Sequence, residues 1–363
     1  MPPRPSAATD LISTMPTQPT FIPVRSAASR WLRAGVKSVL GLILLLALAW
    51  AFGALWFDFP GHKTSAWIWL AALVAMPVVF RKRSWCKWIA PGMFLLVWLP
   101  WLGIRPSNTR DWAPEYARTA RAEIDGDVVT VHNIRNFDYV ATATPGEFTM
   151  IENWETRRYR LSELRGIDSF INYWGSPWLA HPIISFDFGP DGHLAFSIET
   201  RRERTEGYSA LAGLYKVYEL TILACDERDV IRVRTNFRKG EDVYLYRLNA
   251  SPRMARERFT EYAGHINRLS ARPKFYDVLF ANCTTTIRAQ IPEAERRPMD
   301  WRLLLNGKMD ELMYSRNAFA GDRKMGFDEM KKAAWINPVA VECGADPAFS
   351  DRIRSARPGF QHP

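Results

Sequence analysis

Three long uncharged segments near the start of the chain constrain its fold more than any other feature. Residues 38–57, 64–80 and 88–104 contain no aspartate, glutamate, lysine or arginine, and they are 20, 17 and 17 residues long. A helix needs roughly 17–25 residues to cross a hydrocarbon core of about 30 Å. A cleaved signal peptide with two core helices is the alternative, but the apolar region of a signal peptide has only about 7–15 residues. We therefore predict three transmembrane helices over these segments.

The basic residues around these segments predict an orientation. Four lysines and arginines lie in residues 25–37 and four in residues 81–87, whereas the loop 58–63 is nearly balanced. The positive-inside rule places such basic flanks in the cytoplasm. We therefore expect a disordered cytoplasmic N-terminus over residues 1–36, with everything after residue 104 in the bacterial periplasm. The protein is then a multi-pass inner-membrane protein.

The net charge of +10 does not indicate nucleic-acid binding. Residues 1–104 hold ten lysines and arginines against two aspartates, whereas the rest of the chain holds 38 basic and 36 acidic residues. The excess charge therefore flanks the membrane segments and does not form a phosphate-binding stripe. The chain has no CxxC pair and no zinc-like Cys/His spacing, and we expect neither a metal nor a cofactor.

The remainder of the chain predicts an α+β domain. Residues 105–122 are expected to form a linker in which Trp112 and Tyr116 suit the membrane interface. The domain, residues 123–363, begins with strand-like segments that predict an antiparallel sheet and continues with helices. The predicted strands are 127–134, 181–188, 193–200, 215–225, 229–236 and 242–248, and the clearest predicted helices are 252–271 and 284–291.

The stretch NCTTTIRAQIP places Cys283 where a helix is about to begin. Backbone N–H groups at a helix start favour a thiolate and could bind an oxyanion. Local sequence alone favours a buried, structural cysteine over a reactive thiol. Asn282 either shapes the oxyanion site or caps the helix. Three cysteines lie in the exported part, so one thiol stays unpaired even if Cys225 and Cys343 form a disulfide.

A reactive thiol needs a base, and His181 is our candidate among six histidines. It opens one strand of a predicted hairpin, and the cysteine follows later on a helix. Glu199, near the end of the partner strand, is the candidate for orienting the imidazole. Glu219 on the next strand is the rival candidate, and a surface role for either is the alternative.

Longer segments carry a resemblance to a known family. They are NIRNFDY (133–139), YWGSPWLAHPIISFDFG (173–189), SIETRRE (197–203), YELTILACDERDVIRVRTN (218–236), DVYLYRL (242–248), RPKFYDVLFANCTTTI (272–287) and MDWRLLLNG (299–307). Over residues 125–360 the chain resembles the bacterial Lnb N-terminal periplasmic domain family. The order of a histidine strand before an Asn-Cys helix also resembles circularly permuted NlpC/P60, papain-like enzymes.

The resemblance implies a membrane-associated acyltransferase whose motif histidine and cysteine are His181 and Cys283. The expected reaction moves an acyl chain from a phospholipid through a Cys283 thioester to an amine, such as the N-terminus of a lipoprotein. Two other functions stay open at this point. A Cys/His hydrolase of a peptide or amide bond, for example in the cell wall, uses the same residues, and a membrane-anchored binding module needs no catalysis.

Overall fold

A computed structural model describes residues 27–144, 146–278, 283–289, 298, 300, 302, 306–321 and 324–360. The chain begins with three helices, α1 (Ala27–Phe57), α2 (His62–Val79) and α3 (Ile89–Leu102), the last preceded by a 3-10 turn at Ser84–Trp88. Within the described residues, three helical segments have the length and apolar composition to cross a membrane, namely 31–57, 62–79 and 84–102. These segments confirm the three predicted apolar helices.

Helix α1 starts earlier than the sequence predicted. Residues 27–36, which we assigned to a disordered terminus, are helical. Because the exposed side chains of Arg33 and Lys37 can reach the aqueous headgroup layer, an apolar helix can extend through a basic flank without burying charge. Residues 1–26 lie outside the described part of the chain, and the prediction of disorder there is untested.

In its described residues, the domain after the helices contains ten strands and confirms the α+β prediction. The strands are β1 (Arg121–Asp125), β2 (Val128–Arg135), β3 (Asp138–Ala141), β4 (Phe148–Ile151), β5 (Trp154–Arg160), β6 (Gly166–Trp174), β7 (Ser176–Asp187), β8 (His193–Arg201), β9 (Glu219–Cys225) and β10 (Glu241–Arg247). The large sheet has the order β1-β2-β9-β8-β7-β6-β10, with β5 paired to β2, and β3 and β4 form a separate hairpin. All pairs are antiparallel except a single parallel pairing of β2 with β9.

Helices follow the sheet, as the sequence predicted. They are α5 (Pro252–Ala271), α6 (Cys283–Ala289), α7 (Met309–Ser315), α8 (Phe327–Ala334), α9 (Asn337–Cys343) and α10 (Phe349–Arg352), and a short α4 (Glu227–Val230) lies between β9 and β10. Ser251 caps α5 by accepting a hydrogen bond from the Met254 N–H at 3.3 Å. Pro252 occupies the first helical position, where no N–H is needed.

The sheet separates two cores. On one face, Phe186 and Phe196 of β7 and β8 pack against Phe259 and Tyr262 of α5. On the other face, the strands pack against α4, α9 and α10 in a cluster that contains Phe170, Ile183, Leu223, Ile336 and Phe349. Alternation along the strands places His181 and Glu199 on this second face.

The prediction of a strand at residues 229–236 is wrong. The segment forms the end of α4 and a π-helical turn at Val233–Phe237. Asp226 caps α4 by accepting from the Arg228 N–H at 2.8 Å. Asp229 is buried beside Arg135, with an Arg135 Nε to Asp229 Oδ2 distance of 2.8 Å. The strand was predicted from the alternation of apolar and charged residues, which in a half-buried strand separates a core face from a solvent face. In this segment the charged side chains are buried as well as the apolar ones, so the alternation does not indicate a strand.

The linker is also packed more tightly than predicted. Trp112 and Tyr116, which we assigned to the membrane interface, are both buried in the domain. The guanidinium of Arg201 lies 4.4 Å from the Trp112 ring centroid, and Arg201 Nε donates to the Tyr116 carbonyl at 2.9 Å. A buried arginine gains both a cation–π contact and carbonyl acceptors here, so these aromatic side chains fold onto β8 and do not face lipid.

The C-terminal helices are joined to the sheet by a buried ionic cluster. Arg354 Nη2 lies 2.7 Å from Asp168 Oδ2 and 2.6 Å from Glu227 Oε1, and all three residues are buried. Ser185 Oγ donates to the same Glu227 oxygen at 2.6 Å. One guanidinium therefore compensates two buried carboxylates on different elements.

Removing Arg354 is expected to destabilise the domain. Arg354→Met leaves Glu227 buried without its guanidinium partner and Asp168 with Arg247 alone, which costs about 3–5 kcal/mol. The measurement is the unfolding temperature of the full chain in detergent micelles. Arg352→Met is the matched control, because Arg352 is 39% exposed and pairs with Asp346 at the surface, where ion pairs contribute about 0–1 kcal/mol. Equal effects of the two substitutions would contradict the proposed role of the cluster.

The domain also contacts the ends of the apolar helices. Asp58, at the end of α1, accepts from Trp101 Nε1 at 2.6 Å and from the Lys216 N–H at 3.0 Å. Lys216 Nζ donates to the carbonyl of Trp101 at 2.8 Å. The Tyr215 ring packs between Trp50 and Phe57, with centroid distances of 6.3 and 5.2 Å.

Gly53 in α1 is required for this contact. A Cβ atom at Gly53 would lie 1.9 Å from the Tyr215 hydroxyl oxygen, whereas a Cβ at Gly41 of the same helix meets nothing within 4 Å. Gly53→Ala is therefore expected to displace Tyr215 and lower the unfolding temperature of the full chain. Gly41→Ala should be neutral or slightly stabilising, since alanine favours helix by up to about 1 kcal/mol over glycine. Identical behaviour of the two variants would refute this docking.

Candidate functional site

His181 lies where strands β7 and β8 separate. The ladder between them ends at Ile183↔Ser197, whereas β7 remains paired with β6 through Ala180. Pro182 has no N–H to donate to a ladder, and it directly precedes the last paired residue. Beyond this point β7 and β8 are free to diverge, and a cavity of about 390 Å³ lies there.

The imidazole of His181 is held by two side chains of β8. His181 Nε2 lies 2.8 Å from Ser197 Oγ and 3.2 Å from Glu199 Oε1. Ser197 Oγ donates to Glu199 Oε1 at 2.6 Å. Because that hydroxyl donates to the carboxylate, it accepts from Nε2, which therefore carries a proton. A neutral imidazole protonated at Nε2 has its basic lone pair on Nδ1.

Glu199 is ionised in this environment. Burial alone would raise the pKa of its carboxyl, but the contact with His181, the guanidinium of Arg234 and the Ser197 hydroxyl together hold that pKa well below its usual value. Arg234 Nη2 donates to Glu199 Oε1 at 3.1 Å, and Arg234 Nη1 donates to the Val230 carbonyl at 2.7 Å. The site thus contains a chain of polar contacts from Arg234 through Glu199 and Ser197 to His181.

The structure places Glu219 away from His181. Glu219 Oε1 accepts from the Ser107 N–H at 3.0 Å and lies 2.9 Å from Arg110 Nη2. Burial raises the pKa of its carboxyl to about 7, even though Arg110 opposes the shift. Glu219 therefore ties the linker to β9, and Glu199 is the carboxylate that contacts His181.

The cavity brings residues from several separate parts of the chain together. Its charged and polar lining includes His181, Glu199, Arg202, Arg234, Arg238, Glu241 and Asn306, and its apolar lining includes Trp174, Leu179, Ile198, Tyr208, Tyr276 and Val278. Of the histidines that the structure describes, His181 alone lines this cavity. His193 pairs with Asp187 at the opposite end of the hairpin, and burial on α5 lowers the pKa of His265 to about 4.

The cysteine side of the site is only partly described. Helix α6 begins at Cys283 and packs against β7 and β8, close to the predicted bounds of 284–291. The side chain of Cys283 and the whole of Asn282 lie outside the described residues, so the predicted roles of both remain predictions. Tyr276 and Val278, which precede Cys283 by a few residues, line the same cavity as His181.

The thiols that the structure describes lie elsewhere. Cys225 and Cys343 are unpaired and buried in the second core, so the disulfide considered from the sequence is not formed. Burial raises the pKa of the Cys225 thiol to about 12, which keeps it protonated and unreactive. Cys86 lies in the 3-10 turn before α3. None of these three cysteines lines the cavity of His181.

Ser197 and Arg234 contact Glu199 in the site, and neither was predicted from the sequence. Ser197 follows the two-residue alternation that also places Glu199 on the face of His181, and this spacing was a usable signal. Arg234 lies in the π-helical turn that the sequence suggested was a strand, so its contact with Glu199 depends on tertiary structure.

Residues 151–307 match the family model described as the Lnb N-terminal periplasmic domain. The chain is similar to that family over this segment. The match extends from the end of β4 to the 3-10 turn at Asn306–Lys308 and includes His181, Glu199 and Cys283. It confirms the resemblance over a shorter range than residues 125–360. No curated protein and no solved structure matches the chain. Three apolar helices together with the Lnb N-terminal domain identify a membrane protein with a periplasmic domain.

Glu199→Gln tests the electrostatics of the site. The folded-state pKa of Glu199 lies below its usual 4.5, so its contribution to stability is present above about pH 4.5 and disappears as the pH falls through the folded value. The substitution should cost about 1.5–3 kcal/mol at pH 7, which is the contribution of hydrogen bonds to a charged group, and the difference from wild type should shrink below about pH 4.5. Thermal unfolding of the full chain across pH measures this effect.

Glu123→Gln is the control for this experiment, because Glu123 is 58% exposed and its ion pair with Arg121 lies at the surface. It should change the unfolding temperature little at any pH. A Glu199→Gln effect that is no larger than that of Glu123→Gln at pH 7 would show that Glu199 does not act as a buried counter-charge.

Proposed function

We propose that this protein is a membrane-bound thiol acyltransferase in which Cys283 is the nucleophile and His181 the general base. The observation that carries the proposal is the His181–Ser197–Glu199 chain in the wall of the cavity, because it fixes an imidazole with its basic nitrogen at Nδ1. Helix α6, which starts at Cys283, packs against the two strands that carry this chain. A histidine strand before a cysteine helix is also the order of permuted papain-like enzymes.

In the first half-reaction, His181 Nδ1 takes the proton of the Cys283 thiol. The thiolate attacks the carbonyl carbon of a lipid ester and forms a tetrahedral intermediate with a negative oxygen. When the intermediate collapses, the C–O bond of the ester breaks and the imidazolium gives its proton to the leaving alkoxide. The products are an acyl-thioester on Cys283 and a lysolipid.

In the second half-reaction, an amine attacks the thioester carbonyl. His181 takes a proton from the attacking nitrogen, the C–S bond breaks, and the thiolate leaves. Transfer of the proton from His181 back to sulfur restores the starting state, and the product is an amide. The acceptor that fits the family is the α-amino group of a lipoprotein, and the donor we propose is a membrane phospholipid.

Glu199 has a positioning role in this mechanism. As a buried carboxylate it stabilises the imidazolium that forms in both half-reactions, and through Ser197 it keeps the proton on Nε2. Arg234 keeps Glu199 ionised, because a second cation offsets the cost of burying the carboxylate. The proposed topology, with three membrane crossings and residues after 104 in the periplasm, brings this site to the surface of the inner membrane.

Substitution of Cys283 and His181 tests the proposal. Purified full-length protein in lipid nanodiscs is expected to carry an acyl adduct on Cys283, detected by peptide mass spectrometry and removed by hydroxylamine. Cys283→Ser should lose the thioester adduct, and His181→Ala should slow amine acylation by roughly 10²–10⁴-fold. Cys86→Ser is the matched control and should retain full activity.

Other results would favour other functions. Labelling that persists in Cys283→Ser would exclude this residue as the nucleophile. Release of peptidoglycan fragments without a thioester would indicate a Cys/His hydrolase, in which water replaces the amine. An intact cellular phenotype in both Cys283→Ala and His181→Ala strains would indicate a binding module that does not use this chemistry.

A further inference from the structure

An exposed apolar segment lies beside the helices that cross the membrane. Tyr208, Leu211 and Leu214 are 57%, 66% and 39% exposed, although the next residue, Tyr215, is packed against α1. Burial of apolar surface is favourable by about 25 cal/mol for each Å² removed from water. Exposed leucines do not gain this free energy. The segment 208–214 therefore presents an apolar surface, and the contact of Tyr215 with α1 fixes the position of that surface.

The contact of Tyr215 sets the depth of this segment. Its ring packs on Trp50 and Phe57, and its hydroxyl lies against Gly53. These three residues occupy the last two turns of α1, a helix long enough to cross a membrane. Tyrosine and tryptophan concentrate at the boundary between headgroups and acyl chains, and this contact places Tyr215 at that level.

Neighbouring aromatic residues mark the same boundary. Trp56 near the end of α1 lies 6.5 Å from Trp67 in the first turns of α2, measured between ring centroids. Lys63 Nζ lies 5.4 Å from the centroid of the Trp56 ring. Indole rings with a lysine beside them are typical of the headgroup layer, so the domain-side ends of α1 and α2 lie there.

The exposed segment is continuous with the cavity of His181. Tyr208 and Ala210 line the cavity on one side, and Leu179 lines it on another. Leu179 and its neighbour Trp178 are about half exposed. The cavity is thus lined in part by the segment that leads to Tyr215 and its contact with α1.

We propose that residues 208–215 insert into the headgroup and acyl boundary of the leaflet on the domain side, so that the cavity opens onto the bilayer. A lipid acyl ester then reaches His181 from the membrane without passing through water. The insertion itself stands on the contacts of Tyr215 and on the exposure of Leu211. The entry of an acyl ester rests on the proposed acyltransferase function.

Photo-crosslinking of the full chain tests the insertion. A benzophenone amino acid at Leu211, in nanodiscs of phosphatidylethanolamine and phosphatidylglycerol, should give lipid adducts detected by mass spectrometry. The same amino acid at Val128 is the matched control. Val128 is also an exposed apolar residue, but it pairs with Arg160, whose guanidinium binds Asp191 in the turn before β8. The turn precedes β8, and the segment with Leu211 follows the other end of β8 at Arg201. The nine residues of β8 span about 30 Å between these two ends.

We expect lipid adducts at Leu211 to exceed those at Val128 at least tenfold. Equal adduct yields at the two positions, or crosslinks from Leu211 mainly to a second copy of the chain or to another protein, would overturn the insertion.

A kinetic measurement separates this inference from the proposed function. Leu211→Glu should reduce acyl transfer from phospholipid in nanodiscs roughly tenfold, which is about 1.4 kcal/mol, because a carboxylate replaces an apolar side chain that the boundary favours. Turnover of a short, water-soluble thioester should not change. Loss of both activities would contradict lateral entry, as would the loss of neither. Lipid crosslinks at Leu211 in a protein that turns over no acyl substrate would contradict the acyltransferase function and leave the insertion supported.

Discussion

The buried negative charge of Glu199 is the interaction on which the candidate site depends. A carboxylate in this position is stable only because Arg234, Ser197 and His181 surround one of its oxygens. The same contacts fix the tautomer of the imidazole and supply a counter-charge for its protonated form. The cost of burying Glu199 and the proposed role of His181 as a base therefore depend on the same contacts.

The local fold explains why this arrangement occurs at the end of β7. Pairing between β7 and β8 stops at Ile183↔Ser197, next to Pro182, and the separated strand ends expose His181 to a cavity. The rest of the sheet is supported on both faces, by α5 on one side and by the cluster around Arg354 on the other. A rigid sheet with one opened ladder can hold polar side chains in fixed positions without losing its core.

Much of this organisation could be predicted from the sequence. The three helices follow from uncharged segments, α5 from Ser251-Pro252 and its apolar period, and the β7–β8 hairpin from alternation around GPDG. Other features could not be predicted because tertiary contacts decide them. Residues 229–236 form helical turns despite a strand-like pattern, because Asp229 is paired with the buried Arg135. Trp112 is buried in the domain, where its ring contacts the guanidinium of Arg201. The choice of Glu199 over Glu219 needed the register of β8 and the position of the linker.

The central claim is that His181 activates Cys283, and the alkylation rate of Cys283 as a function of pH tests it most directly. The rate can be measured by mass spectrometry on the full-length protein, with Cys86 in the same sample as an internal reference. An isolated thiol titrates near pH 8.5. Our account predicts fast alkylation of Cys283 well below that pH in wild type, loss of this reactivity in His181→Ala, and no change at Cys86. Identical pH profiles for Cys283 in wild type and His181→Ala would contradict the account.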